Sequence, residues 1–448
     1  MTTTITKLES DRVQVSNAVE MSLDVAKQEG ATAAAAGASL DSGLSVTARM
    51  GDVETLEHHR GQSLSVTVYQ GQRKGSASSS ALGADAIRET VEAAMRIARY
   101  TSEDPYAGLA DADLMAQETA DLDLYHPWPL QVDEAIEITK ACEAAALSSD
   151  KRIVNSEGSS LNTFQGTSAY ANSHGFLGVA SGSRHSLSCS VIAEDESGMQ
   201  RDYWYTGSRL AGQLESTESV GLKAAERALA RLSPEKLSTR QTPVLFSAEL
   251  AKGLMGHLVA AVSGGALYRK ASFLLDAMGE TILPEFVHIY EDPLIPQAPG
   301  SSAFDAEGVT TCKSDLIKNG VLERYVLGSY SARKLGLQTT ANAGGVRNLR
   351  VNNHDLDLPA LLKKMGTGFY ATELIGHGIN MVTGDYSRGA AGFWVEDGEI
   401  QYPVAEITVA GNLRDIFQNV QAIGNDVDTR GNIQTGSWLI NDLMIAGD

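Results

Sequence analysis

In SLSVTVYQ (63–70), Leu64, Val66 and Val68 alternate with polar neighbours. Only an extended strand with one dry and one wet face satisfies a period of two. GLSVTARM (43–50) repeats the pattern, and turn signals at Gly51-Asp52 and at Gly61 divide the region into antiparallel strands. Helical spacing surrounds them. Residues 11–30 carry Val15, Val19, Ser22 and Ala26 on one face, with Asp11 as the expected N-cap and Gly30 as the stop. Residues 85–100 place Ile87, Val91, Ala94, Met95 and Ala98 on one face, and a further helix is predicted over 133–148. Short alternations then run from Asn162 to Arg209, followed by a helix near 217–232.

Beyond the polar segment SPEKLSTRQTP (233–243) comes a helix over 249–264, and after it two two-residue hairpin turns, at Asn319-Gly320 and Asp397-Gly398. Both pairs suit the positive φ angles of a type I′ turn. Strands and helices do not alternate as a doubly wound fold requires. The predicted fold is therefore α+β, two domains with largely antiparallel sheets and packed helices: 1–233 an N-terminal α+β domain, 244–448 a C-terminal β-rich α+β domain. A 448-residue chain with 43% hydrophobic residues can bury the cores this needs.

Charge and cysteine content exclude several functions. A net charge of −20 repels phosphate backbones and anionic headgroups, so neither nucleic acid nor membrane is an expected partner. Cys142, Cys189 and Cys312 are too few and too widely spaced for a disulfide framework or a zinc ribbon. No apolar run is long enough to span a bilayer and MTTTITKLESDRV lacks a signal-peptide pattern, so a cytoplasmic location is expected.

The segment KGLMGHLVAAVSG (252–264) holds one histidine in an apolar helical run. A helical zinc site needs a second histidine about one turn away and an adjacent carboxylate. Around His257 stand Gly253, Leu254, Ala260 and Ala261 instead, and the helical period puts His257 in the inward-packing stripe with Leu250, Leu254 and Ala261. No His-Glu dipeptide, GxSxG elbow, phosphate loop or GxGxxG occurs. His58 and His59 are adjacent on a predicted strand and so point to opposite faces. The segment 373–400 gathers Gly376, Gly378, Gly384, Gly389 and Gly392 around Asp385, Tyr386 and Arg388. Such glycine density admits a ligand, a neighbouring strand or a partner chain at close range, and Arg388 pairs with Asp385 in the plainest reading.

Long strings of the chain resemble the TldD/PmbA peptidase family, specifically its PmbA (TldE) branch. They are TVYQGQRKGSASSS, GHLVAAVSGGALYRKASFLLD, SYSARKLGL, VTGDYSRGAAGFWVEDGEIQYPVAEITVAGNL and the ending IAGD, so the resemblance covers essentially the whole chain. It implies a two-domain subunit that pairs with a TldD-like subunit, as a heterodimer or higher heteromer, in a metalloprotease drawing unfolded peptides into an enclosed cavity. Microcin precursor maturation, antitoxin degradation and an older label, modulator of DNA gyrase, are attached to the family. TldD-like members carry an HExxxH helix and a late cysteine ligand. Aligned through Arg269 and Lys270, this chain has Gly256 and Ala261 at the histidine positions and His257 at that of the glutamate, and no cysteine follows Cys312.

The resemblance thus implies no catalytic residue and no metal in this chain, the catalytic metal being expected in the TldD partner. His257, Asp385, Tyr386 and Arg388 are the residues expected to line the substrate channel, and a homodimer is left open for the chain alone. Two other functions remain open on the sequence. One is a peptidase active on its own through a site built from His377, Asp385, Glu373 and His257; the other is a peptide-binding homo-oligomer without protease chemistry.

Overall fold

The computed structural model describes residues 2–117 and 120–447. Met1 and Asp448, the outer limits of the two expected domains, lie outside the described residues. The first half runs α1 (Thr2–Gln28), β1 (Ala33–Arg49), β2 (Asp52–Gln70), β3 (Arg73–Ser79), α2 (Ala84–Tyr100), α3 (Val132–Leu147), β4 (Ile153–Asn172), β5 (Leu177–Asp195), β6 (Gly198–Ser208) and α4 (Thr217–Ala230). Its six strands form one antiparallel sheet in the order β3-β2-β1-β4-β5-β6. Even-numbered residues of β1 are buried at both ends of the strand, so the helices cover one face of the sheet. Val15, Ala18 and Val19 of α1 pack with Ile87, Val91 and Met95 of α2 over one end, and Ala135 and Cys142 of α3 pack with Val220 and Ala224 of α4 over the other. Between the two helix pairs, Leu40 and Ser42 of β1 open onto a cleft of about 700 Å³ whose walls include Lys7 and Asp11 of α1, Arg60 and Tyr125.

The second half runs β7 (Arg240–Phe246), α5 (Ala248–Ala261), α6 (Gly264–Tyr268), β8 (Ile289–Glu291), β9 (Ser314–Lys318), β10 (Val321–Leu322), α7 (Ser329–Leu335), β11 (Leu349–Val351), α8 (Leu358–Met365), β12 (Gly368–Ile375), β13 (Asp385–Glu396), β14 (Glu399–Asn412), α9 (Leu413–Gln418), β15 (Val420–Ile423), β16 (Ile433–Gln434) and β17 (Trp438–Ala446). The short strands β10-β9-β8-β11-β16 make one sheet, and the order β14-β13-β12-β7-β17-β15 makes another. A further pairing of β14 with the far end of β17 closes five of these strands into a ring. Val244, Phe246, Phe369, Trp394 and Trp438 are buried in the large core this creates. Apart from β7–β12 and β11–β16 the strand pairs are antiparallel, giving the α+β fold the sequence predicts. Among the described residues no helix is long and apolar enough to cross a membrane.

Local signals fared unevenly. Both type I′ turns are present, with φ of 51° and 78° at Asn319 and Gly320 and 52° and 79° at Asp397 and Gly398. Gly30 ends α1 at φ 86°, but Asp11 is no N-cap, because α1 begins nine residues upstream of it at Thr2. Gly61 is not a turn either. It lies within β2 opposite Asp41, and a Cβ there would stand 2.6 Å from the Asp41 carboxylate, so the glycine makes room for a cross-strand side chain. The segments 43–50 and 63–70 consequently do not face each other: Gly43 pairs with His59, and Ala36 with Val66.

The β1–β2 turn is made by Met50 and Gly51, both at positive φ, and is held from α3. Glu143 is 1% exposed, and its two carboxylate oxygens accept the Met50 and Gly51 backbone N–H groups, each at 2.8 Å. Removing that acceptor leaves two oriented donors and a cavity. Glu143→Ala is expected to lower the unfolding free energy of the full chain by about 2 kcal/mol, and Glu143→Gln by less. Urea unfolding checks this, and an unshifted midpoint for the alanine variant would show that the clamp contributes nothing.

Candidate functional site

Helix α5 follows β7 directly and lies against β12 and β16. Ala251, Leu254, Met255, Leu258 and Ala261 form its buried face. His257 stands at the margin of that face, half-buried, because the stripe is centred nearer Leu258 than the sequence period suggests. On the other side of it Gly253 and Gly256 leave the helix bare: a Cβ at either would meet no heavy atom within 4 Å.

Across from His257 runs β13. Its ring meets that of Tyr386 edge-on, the centroids 6.2 Å apart. Tyr386 and Arg388 share a face of the strand, as residues two apart must. Asp385 is exposed on the other face, where it accepts Thr383 Oγ1 at 2.6 Å and Asn412 Nδ2 at 3.4 Å and so fixes the turn that enters β13. Three of the four expected channel residues therefore come together and the fourth does not. The pairing of Arg388 with Asp385 fails for the same reason; Arg388 Nη2 donates instead to the Leu374 carbonyl at 3.3 Å. The glycines of 376–392 bring the chain close to itself. A Cβ at Gly378 would lie 1.7 Å from the Ser387 carbonyl oxygen, so only glycine lets the 376–384 loop fold back onto β13.

Burial and then the nearby Arg388 charge push the His257 imidazole below its ordinary pKa. Burial raises the Tyr386 phenol to about 12, against the lowering influence of Arg388. The imidazole is thus neutral and the phenol protonated at pH 7. Followed by NMR, His257 should titrate below about 6.5. Arg388→Gln should move that midpoint upward without restoring it fully, since desolvation is the larger cause. No movement would place the guanidinium too far away to matter.

The other half of α5 is anchored by charges that no sequence motif announces. Glu249 forms an ion pair with Arg227 Nη2 at 3.2 Å and accepts Arg430 Nη2 at 2.6 Å. Arg430 also meets Asp428 at 2.8 Å, and Asp428 bonds Lys252 of the same helix. Asp202 of β6 accepts Arg227 at 3.2 Å and Arg231 at 3.3 Å, while Arg231 pairs with Glu373 of β12. Arg430 lies 4.4 Å over the Trp204 ring. These partners come from β6, α4, α5, β12 and the loop before β16, so sequence spacing carries no trace of them.

Glu373 is thereby occupied. His377 is exposed in the 376–384 loop, and Asp385 faces away from Tyr386, so the set of His377, Asp385, Glu373 and His257 is not assembled into one site. His58 and His59 are both exposed on β2, His59 stacking on Phe164 at 6.4 Å.

Family models match along nearly the whole chain: PmbA/TldA metallopeptidase domain 1 over residues 39–98, the central domain over 125–232 and the C-terminal domain over 239–447. The chain is 51% identical over 445 residues to Metalloprotease PmbA of Escherichia coli O157:H7, covering 99% of this chain and 98% of that one. A crystal structure described as a putative modulator of DNA gyrase from Bacteroides thetaiotaomicron matches with a TM-score of 0.92 at 28% identity, over 96% of this chain and 98% of that one. TldE from Thermococcus kodakarensis shares the fold, with a TM-score of 0.81 at 18% identity over 95% and 99% of the two chains. Fold and matched domains together define a protein of the PmbA/TldE peptidase type. The chain belongs to the TldD/PmbA family, in its PmbA branch.

The metal such a family implies can be tested against the donors here. A catalytic zinc needs about three nitrogen, sulfur or carboxylate ligands and an open position. Around His257 stand a phenol and a guanidinium, and the guanidinium repels a cation. Among the described residues no three His, Cys, Asp or Glu side chains cluster closely enough to hold a metal ion. The residues on this helix do not fit the group.

Asp428 gives the anchor a pH signature. Burial alone would raise its carboxyl, but hydrogen bonds from Arg430 and Lys252 outweigh that and hold it well below the carboxylate range. A depressed folded pKa stabilises the protein above the unfolded value near 3.9, and the stabilisation is lost as pH falls through the folded value. Wild type should exceed Asp428→Asn in stability undiminished from pH 7 to about 4, with the gap shrinking on further acidification. A gap independent of pH would locate the stabilisation in packing instead.

Proposed function

We propose that this chain is the non-catalytic PmbA/TldE-type subunit of a heteromeric metallopeptidase, docking on a TldD-like subunit that carries the metal and helping to enclose and align unstructured peptides. One observation carries the reading. Where a metal-binding helix would present two histidines and a glutamate, α5 presents Gly256, His257 and Ala261, and the group opposite is Arg388. A catalytic metal needs about three protein ligands and a base beside its bound water, and this helix offers a single imidazole facing a fixed cation.

Two features suit the supporting role. Along its outer edge β2 is unpaired from Asp52 to Ser63 among the described residues, since β3 meets it only from Leu64 onward. Such an edge binds extended peptide through backbone hydrogen bonds without demanding a particular sequence. The net charge of −20 speaks against a nucleic-acid substrate and so against a literal reading of the gyrase label.

Purified alone, the chain is expected to hold well under one zinc or iron per molecule and to leave unfolded, casein-like peptides intact. Cleavage sensitive to chelators is expected to appear on addition of a TldD-like subunit. Elemental analysis, light scattering and a cleavage assay on the separate and mixed proteins test this. One tightly held metal per chain, or chelator-sensitive hydrolysis by the lone chain, would overturn it.

A further inference from the structure

We infer that Arg388, Tyr386 and His257 form a receptor for a single carboxylate supplied from outside the chain. The argument begins with what these side chains lack. A guanidinium offers five N–H donors and accepts nothing. Half-buried Arg388 uses one of them, in the 3.3 Å bond to the Leu374 carbonyl, while its Nε is enclosed and bonds no acceptor. Among the described residues no carboxylate lies within ion-pairing distance of it. Arg231, Arg324 and Arg430 reach carboxylates, and Arg209 and Arg347, which do not, each spread their donors over three backbone carbonyls. An enclosed cation without a counter-ion is costly and calls for an explanation.

Tyr386 repeats the deficit. Its side chain is 2% exposed, it shares the β13 face with Arg388, and its buried hydroxyl has the Arg388 guanidinium beside it but no acceptor for its own proton. His257 approaches the same point from α5, with its ring edge-on to that of Tyr386. Guanidinium, phenol and imidazole can all donate, and the cluster contains no anionic acceptor. A carboxylate completes it: the planar oxygens match the arginine fork, and one negative charge balances one guanidinium. Polyphosphates are a poorer match, because only one cation faces the space and the protein as a whole is strongly acidic.

Among the described residues no carboxylate of the chain is placed to fill it. Asp385 is exposed on the opposite face of β13 and holds Thr383, and Glu373 is taken by Arg231. Room exists on the helix side, where Gly253 and Gly256 flank His257 and nothing stands within 4 Å of a Cβ at either. Two sources share the chemistry, the C-terminal carboxylate of a peptide and an acidic side chain within one. That the carboxylate belongs to a peptide rests on the function proposed above; that the site takes a carboxylate does not.

The test is a titration of the full chain, without any partner subunit, monitored by calorimetry and by the His257 ring signals in NMR. The probes are acetate, N-acetyl-Gly-Ala with a free C-terminus, the same dipeptide as its amide, and N-acetyl-Asp amide. Acetate and at least one carboxylate-bearing peptide should bind and shift His257, while the uncharged amide should not. Free-acid binding alone assigns the site to chain ends, and Asp-amide binding assigns it to acidic side chains.

Arg388→Gln should weaken binding at least about tenfold, the scale of one charge-assisted interaction. Tyr386→Phe should weaken it several-fold with little change in the melting temperature, because the hydroxyl removed donates to no acceptor inside the fold. That variant decides the matter if the arginine variant fails to fold. Equal binding of acid and amide, wild-type affinity in both variants, or no response of His257 to acetate at high millimolar concentration would overturn the receptor. The last result would mean that water alone fills the space. None of these readouts involves cleavage or metal, so a chain that binds carboxylates yet hydrolyses peptides unaided would sink the proposed function and leave the receptor standing.

Discussion

Arg430 lies over the Trp204 ring while its guanidinium bridges Glu249 and Asp428, and through it α5 is tied to the first half of the chain. Four basic and four acidic side chains, drawn from β6, α4, α5, β12 and the loop before β16, form a network with no net charge. Buried pairs of this kind seldom add much stability relative to a well-packed apolar alternative, yet losing one member strands its partner, so they fix geometry more than they strengthen it. Here the fixed quantity is the position of α5. The network holds its first turns, and the bare glycine face and His257 follow along the same rigid helix.

The two ends of α5 are thus treated in opposite ways. Near Glu249 and Lys252 every charge is matched, often twice. One to two turns after Glu249 the helix carries two glycines with open space beside them and a histidine whose ring meets Tyr386 of β13, where Arg388 Nε and the Tyr386 proton lack acceptors. A satisfied anchor beside an unsatisfied pocket is what preorganised binding requires, since the donors are held in place before any ligand arrives. The same arrangement sets a guanidinium where a cation would have to approach, and that donor chemistry, more than any missing motif, bears on the proposed lack of a metal here.

Where a signal is local, the sequence shows it. The amphipathic helices α2, α3 and α4 and both type I′ turns follow from spacing and turn chemistry alone. The upper half of β2 is invisible for a physical reason: from Asp52 to Ser63 scarcely any residue is buried on either side, so no alternation exists to find, and Gly61 then mimics a turn. Asp11 misleads because α1 extends past its apolar stripe along the rim of a polar cleft. At the site, the period of two could have separated Asp385 from Arg388 without a structure. The convergence of His257 with Tyr386 could not be found that way, since α5 and β13 meet only through the tertiary fold, and the same holds for every ion pair of the anchor. The architecture, by contrast, is legible in the long strings the chain shares with its family.

The closed ring of strands carries a consequence for how the protein is made. β7 lies between β12 and β17, and each of those is translated long after it. A nascent β7, with Val244, Leu245 and Phe246 in a row, therefore has no neighbour on either side until most of the polypeptide exists. The first-half sheet, whose strands are adjacent in sequence apart from one crossover, can settle early, whereas this apolar segment must wait. During that interval its apolar side chains stand without the strands that later cover its edges.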